Sequence, residues 1–260
     1  MFLSRLWRNV GEFRRMPTAT VNLMASAADS NDPFYQRLVR KFHTDAYRRH
    51  PKLLVLPQFT HGVALCRLPP TFEEYFALID GAARRNCKKA AREGCTFRRI
   101  QPNDHLDDIR EIRGSTDVRQ GRPVPPEYLT GKVGPYTDPP SLNPYHDYPF
   151  FGVFNGEKMV AYGSCMIAGE VCLIQHILGH AGWLDKNVVP LLITEIARYV
   201  RPHHPAVAFY GYDKYFGATE TMRRFKRKFG FVPYHVRWVL DDPAGVPMPA
   251  TGPTGELPCK

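Results

Sequence analysis

The sequence predicts an α/β chain of the α+β kind, built on a mixed sheet. Three observations carry that prediction. From residue 94 onward, short apolar runs alternate with amphipathic helical stretches, the order that joins strands through crossover helices. Within that region Asn155-Gly156 separates two apolar runs, 150–154 and 159–167; Asn-Gly between such runs is the strongest short hairpin signal. Finally, 260 residues with 43% apolar content can bury a substantial core, which excludes wholesale disorder.

The elements follow in chain order. Residues 1–16 place Phe2, Leu6, Val10 and Phe13 at helical spacing among four arginines, so this segment reads as a basic amphipathic helix, packed on the protein or lying on a membrane surface. Residues 32–49 read as a helix with Asn31 or Asp32 as cap and Pro33 in the first turn. The runs 53–56 and 63–68 read as strands. One long helix is expected over 71–92, opened by a Thr71/Glu74 capping box and stopped by Gly94. A strand at 96–100 and a helix at 105–113, capped by Asn103, come next. Residues 117–147 hold seven prolines and three glycines, a connection long enough to suggest a functional loop. Beyond it lie the hairpin, a strand at 171–178, a helix at 188–200, a strand at 206–210, a helix at 217–229 and a last strand at 231–240. Residues 1–93 are therefore expected to form an N-terminal accessory region, 94–240 the core, and 241–260 a disordered Pro/Gly-rich tail.

No run of 18 apolar residues occurs, which excludes a membrane-spanning helix of that kind. The N-terminus lacks the apolar stretch of a secretory signal. The six cysteines form no CxxC pair and several sit in apolar runs, as expected of reduced, buried thiols in a cytoplasmic protein. The formal charge is +10. It is concentrated in two stretches: residues 84–99 carry +6 and residues 217–240 carry +5, leaving the rest close to neutral. Charge placed this way suggests a polyanionic partner, either a phosphate-bearing small molecule, tRNA or DNA.

Three segments carry a family likeness: TFRRIQPNDHLDDIREI (96–112), the meander FGVFNGEKMVAYGSCMIAGEVCLIQHILGH with the helix after it (151–200), and FKRKFGFVPYHVRWVL (225–240). Their order resembles the GNAT acyltransferase fold. The Phe-Lys opening the third segment and the basic helix before Gly94 look more like the Fem-type branch, whose enzymes transfer aminoacyl groups from tRNA. The resemblance implies an N-acyltransferase that moves an acyl or aminoacyl group from acyl-CoA or aminoacyl-tRNA to an amine acceptor. It implies a donor lying where the fourth and fifth core strands part, a backbone N–H of the fourth strand polarising the carbonyl, and phosphate binding at the start of the following helix. The alternative is a GNAT-like enzyme that modifies nucleic acid, or a non-catalytic nucleic-acid-binding protein.

Carried onto these residues, the phosphate loop falls on Ala181, Gly182, Lys186 and Asn187. This segment departs from the glycine-rich pattern of the family, with one glycine and with Asp185 among the candidates. The tyrosine that commonly acts as acid is replaced by Lys226, taken instead as a donor-phosphate contact sharing a helix face with Arg223 and Arg227. His180 is the candidate base at the end of the fourth strand, and Tyr212 with Asp213 a second proton-handling pair just beyond the fifth. Tyr210 and, from the Pro-rich loop, Arg119 and Arg122 are expected to contact substrate. His176 and His180, four apart on a strand, stand about 13 Å apart, and no other group has metal-ligand spacing, so no metal is expected.

Overall fold

A computed structural model describes residues 11, 15–28, 32–50, 53–119 and 121–241. The expected N-terminal helix, the Asn31 cap, Cys259 and the tail lie wholly or almost wholly outside the described residues. The fold is organised on a nine-stranded mixed sheet. In chain order its strands are β1 (Thr18–Asn22), β2 (His61–Arg67), β3 (Cys95–Ile100), β4 (His146–Asp147), β5 (Phe150–Asn155), β6 (Lys158–Ala168), β7 (Val171–Gly179), β8 (Phe209–Lys214) and β9 (Val232–Val239). Across the sheet they run β1-β9-β2-β8-β7-β6-β5-β3, with β4 added to the end of β6. The helices are α1 (Pro33–Tyr47), α2 (Phe72–Leu78), α3 (Gly81–Arg92), α4 (Leu106–Gly114), α5 (Pro126–Leu129), α6 (Val188–His203) and α7 (Glu220–Lys228). From β3 to β9 this is the element order of a GNAT-like core, of the mixed α/β class the sequence predicts.

The sheet does not respect a boundary at residue 93. β2 lies between β8 and β9, and β1 adds in parallel to β9. Both strands come from the segment expected to be accessory. The apolar run containing Val63, Ala64 and Leu65 is wholly buried, as a strand covered on both faces must be.

One face of the sheet packs under α2, α3, α6 and α7, with Leu192, Ile193, Ile196, Phe231 and Tyr210 at its centre. The opposite face is covered in two patches. α1 lies over β9 and β7 through Val39, Phe42 and Trp238, and α4 lies over β5 and β6 through Ile109, Ile112 and Tyr162. Five described cysteines are free and buried within these layers.

Three local expectations need correction. The helix expected over 71–92 is two. The Thr71/Glu74 capping box opens α2, but Ile79 turns extended and Asp80 caps a new helix by accepting the Ala82 N–H at 2.7 Å. An Asp-Gly pair supplies a better helix start than a helix interior. Asn103 does not cap α4; a 3₁₀ turn, Pro102–His105, precedes that helix. The Asn103 side chain instead holds the Pro-rich loop, donating to Tyr136 O and accepting from Tyr136 N, both at 2.8 Å. The strand expected at 206–210 runs from Phe209 to Lys214, so Tyr212 and Asp213 lie within it.

Candidate functional site

β7 and β8 are parallel neighbours that pair at only three positions: Val171 with Phe209, Cys172 with Tyr210, and Leu173 with Gly211. Past these pairs the strands part, and each carries an irregularity within two residues of the last shared pair. In β7, Ser164 faces His176 while Cys165 faces Ile174, which leaves Gln175 as an extra residue against β6. In β8, the register against β2 slips between Gly211 and Lys214, and Asp213 has φ 51°. Bulges bend a strand and re-aim its side chains, so two of them, one on each lip, open the sheet. The glycines permit this. A Cβ on Gly163 would stand 3.0 Å from the His176 carbonyl oxygen, and one on Gly211 would collide with the Leu173 side chain.

A cavity of about 490 Å³ opens at this gap on the α6 side. Its walls are Ile177, Leu178 and Gly179 of β7, Val189 and Pro190 of α6, Tyr212 of β8, and Met222 and Phe225 of α7. Asn86 of α3, Val118 and Arg119 also contribute. A strand edge without a neighbour presents alternate N–H groups, so the free edge of β7 supplies backbone donors beside an apolar chamber. Such donors are suited to a developing oxyanion.

The turn expected to grip phosphate is built otherwise. Ala181–Lys186 form a 3₁₀ turn capped by His180, whose Nδ1 accepts the Gly182 N–H at 3.1 Å. The Ala181 N–H is donated to Ser115 Oγ at 3.0 Å. Trp183 N–H goes to His180 O at 2.9 Å. The first amides of the turn are thus bonded within the protein. Ala181 and Asn187 line the cavity, whereas Gly182 and Lys186 are exposed outside that lining. His180, expected as a base, is half-buried as the cap of this turn, with Nε2 3.5 Å from Glu111 Oε1.

Arg119 lies at the cavity but is engaged by the protein. It donates to Gly179 O at 2.9 Å, Ile112 O at 2.6 Å and Ser115 Oγ at 3.1 Å. Burial pulls its pKa below the usual arginine value. Arg122 is exposed in the short hairpin that follows and is not part of the cavity wall. Tyr210, expected to touch substrate, is a core residue: it is fully buried and its hydroxyl donates to Ile193 O at 3.1 Å. Tyr212 and Asp213 do not act as a pair. Strand alternation sends Tyr212 to the α6-side cavity and Asp213 to the opposite face.

Lys226 is likewise not a phosphate contact. It is 2% exposed, and Nζ donates to Tyr212 O at 2.6 Å and to Lys214 O at 2.7 Å. Desolvation lowers its pKa to about 8, partly opposed by the Asp213 carboxylate. Its burial breaks the basic face expected with Arg223 and Arg227, and Arg227 donates to Tyr215 Oη. Arg85, Lys88, Lys89 and Arg92 of α3 stay exposed, with Lys89 3.7 Å from Glu93. Both basic helices reach the same cavity, α3 through Asn86 and α7 through Met222 and Phe225. His176 lies in the exposed part of β7 next to the bulge, and partial desolvation followed by the nearby Arg113 guanidinium lowers its pKa. Among the described residues no group of three or more His, Cys, Asp or Glu could hold a metal ion.

No family model matches the chain, and no curated protein matches it. Solved structures with a similar arrangement include FemX, at 11% identity and TM-score 0.48, covering 66% of this chain and 59% of that one. L-PGS from Bacillus licheniformis is similar at 14% identity and TM-score 0.41, covering 67% and 57%. A GCN5-related N-acetyltransferase from Kribbella flavida is similar at 13% identity and TM-score 0.35, covering 54% and 47%. The chain spans less than two thirds of the length of each. The strand order and the parted strands make a mixed α/β fold of GNAT-like topology.

Several site residues escaped sequence reasoning. Gln175 is special only through the register of β6 on β7, which no single-strand pattern reveals. Ser115 and Asn86 reach the site by tertiary packing of α4 and α3. The walls on the Asp213 side come from α1 and the turn before β2, in the segment read as accessory. The useful signal there was the apolar run at 63–68, whose continuous character marks a central strand.

Proposed function

We propose that this protein is an N-acyltransferase that brings an activated acyl donor and an amine together at the gap between β7 and β8. The observation that carries the reading is the parting of these strands after three shared pairs, each lip bulged, beside an apolar chamber. The donor acyl group enters the α6-side cavity with its carbonyl oxygen toward the free N–H groups of β7. Attack by the amine forms the C–N bond as the C–O or C–S bond of the donor breaks. One proton leaves the amine nitrogen and one reaches the departing oxygen or sulfur. Positioning and the preorganised backbone donors supply most of the rate.

The donor we favour is an acyl ester at the end of a tRNA rather than acyl-CoA. A pyrophosphate needs free N–H groups at the turn, and those of Ala181 and Gly182 are bonded to Ser115 and His180. The exposed cations of α3 belong to the helix that reaches this cavity through Asn86, and they suit a phosphate backbone approached without tight amide contacts.

The test offers the protein a mixture of primary amines with either charged tRNA or a set of acyl-CoA thioesters, and reads amide products by mass spectrometry. Amide from charged tRNA supports the whole reading. Amide from acyl-CoA alone keeps the transfer and overturns the donor assignment. No amide from either, with folded protein, overturns the reading.

A further inference from the structure

A second cavity, of about 240 Å³, opens at the same gap on the α1 side. Its floor is Ile174 and the bulged Gln175, its apolar walls are Phe42 and Phe59, and two carboxylates border it, Asp45 and Asp213. The two carboxylates differ. Asp45 is engaged on its own helix by Lys41 and, at 3.3 Å, by Arg48. The Asp213 side chain makes no hydrogen bond or ion pair among the described residues.

Asp213 is also presented by a specific backbone arrangement. It takes φ 51°, a left-handed conformation that costs free energy at a non-glycine residue. The carbonyls on either side of it, of Tyr212 and Lys214, are both tied down by Lys226 Nζ. This clamp turns the residue out of the strand and places its carboxylate at the cavity, across the gap from the extra residue of β7. Phe42 and Phe59 meet edge to face with centroids 6.0 Å apart, and both pack on Trp238. They form a fixed aromatic wall beside a carboxylate that makes no direct contact with a cation among the described residues, a combination that favours an ammonium group on an apolar stem.

We infer that this cavity is the acceptor subsite, in which Asp213 is the counter-ion of a primary ammonium and Phe42 and Phe59 hold the apolar stem next to it. The inference rests on the transfer reading for the purpose of the site and on the cavity itself for its chemistry. It also assigns a role to the N-terminal segment, which supplies the acceptor wall and therefore the selectivity for the amine.

The experiment measures binding of benzylamine to the full chain, without any donor, by calorimetry or ligand-observed NMR, with benzyl alcohol as the neutral counterpart. The expected result is saturable binding of benzylamine, at least tenfold weaker binding of benzyl alcohol, and at least tenfold weaker benzylamine binding by Asp213→Asn. Asparagine tolerates the left-handed conformation, so this variant keeps the fold while removing the charge. Asp213→Gly, which also suits that backbone, should show the same loss. Val189→Trp, which fills the donor chamber, should leave amine binding unchanged. Equal binding of the alcohol and the amine, unchanged binding by Asp213→Asn, failure of benzylamine to bind at millimolar concentration, or loss of binding in folded Val189→Trp would each overturn the subsite. Amine binding that behaves as expected, with no amide formed from any donor, overturns the transfer reading and leaves the cation site standing.

Discussion

The two lips of the gap are held by two different cations. On the β7 side Arg119 spans the turn, bonding the carbonyls of Gly179 and Ile112 and the Ser115 hydroxyl. On the β8 side Lys226 bonds the carbonyls of Tyr212 and Lys214. Both donate to main-chain carbonyls at the edges of the gap, Arg119 to the ends of β7 and α4 and Lys226 to β8. They differ in what they tolerate. Arg119 is half-buried and its guanidinium stays charged at any working pH. Lys226 is almost fully buried, loses its proton near pH 8, and as a neutral amine still offers two N–H donors to its two carbonyls. The β7 lip is therefore fixed by a permanent charge, and the β8 lip by a group whose hydrogen bonds survive while its charge does not.

The largest effect should come from removing Lys226. Lys226→Ala leaves two carbonyls without a donor and a cavity where the stem packed, and should cost about 3 kcal/mol in chemical denaturation. A cost below about 1 kcal/mol would mean that the β8 lip is not clamped in this way.

The pH dependence of stability sharpens the same contrast. The Lys226 ammonium titrates near 8 in the fold, against 10.5 in a solvated chain. Between those values the unfolded chain binds more protons than the native state, so this group makes stability rise as pH increases across that window, by up to about 3 kcal/mol in total. Below pH 8 its contribution no longer changes with pH. Denaturation midpoints of the wild type and Lys226→Met at pH 7.5, 9 and 10.5 test this. The wild type should gain on the variant as pH rises, and a constant difference would remove the lysine from the argument.

Arg119→Ala should cost less, about 2 kcal/mol, because Arg119 is itself half-buried where Lys226 is 2% exposed, so its truncation leaves a space that water can reach. Arg119→Lys should recover only part, since a single ammonium lacks the fork that reaches Gly179, Ile112 and Ser115 together. Equal costs for Arg119→Ala and Lys226→Ala would erase the difference between the lips.

How far these features could be read from the sequence follows from their physical origin. The hairpin at Asn155-Gly156, the Thr71/Glu74 box and the buried strands at 63–68 and 171–178 are local, and each appears in the fold at or within a residue or two of its expected place. Lys226 stood out as a lysine in a basic helix, and charge patterning places such a residue outward with Arg223. Its burial is decided by two carbonyls on β8 that only the tertiary fold brings beneath α7. Arg119 looked like a ligand for an anion because a polar loop hides nothing of what its arginines will bond. The slot that β2 fills between β8 and β9 is a long-range pairing, and no local pattern announces it.

The smallest effect is the most specific to the β8 lip. Because Asp213 sits at φ 51°, glycine should replace it within about 0.5 kcal/mol, while alanine, which gains no side-chain hydrogen bond to compensate for the left-handed backbone, should cost about 1 kcal/mol. The ordering matters more than either value. At an ordinary extended strand position alanine is the better residue and glycine the worse, since glycine has more conformational freedom to lose on folding. An inversion of that order places the left-handed turn at residue 213 in solution. It would also show that the carboxylate there is held in place against a local backbone preference, which is the condition for Asp213 to face the acceptor cavity. If alanine proves as stable as glycine, the Lys226 clamp does not impose this conformation, and the two lips are then equally ordinary strand ends.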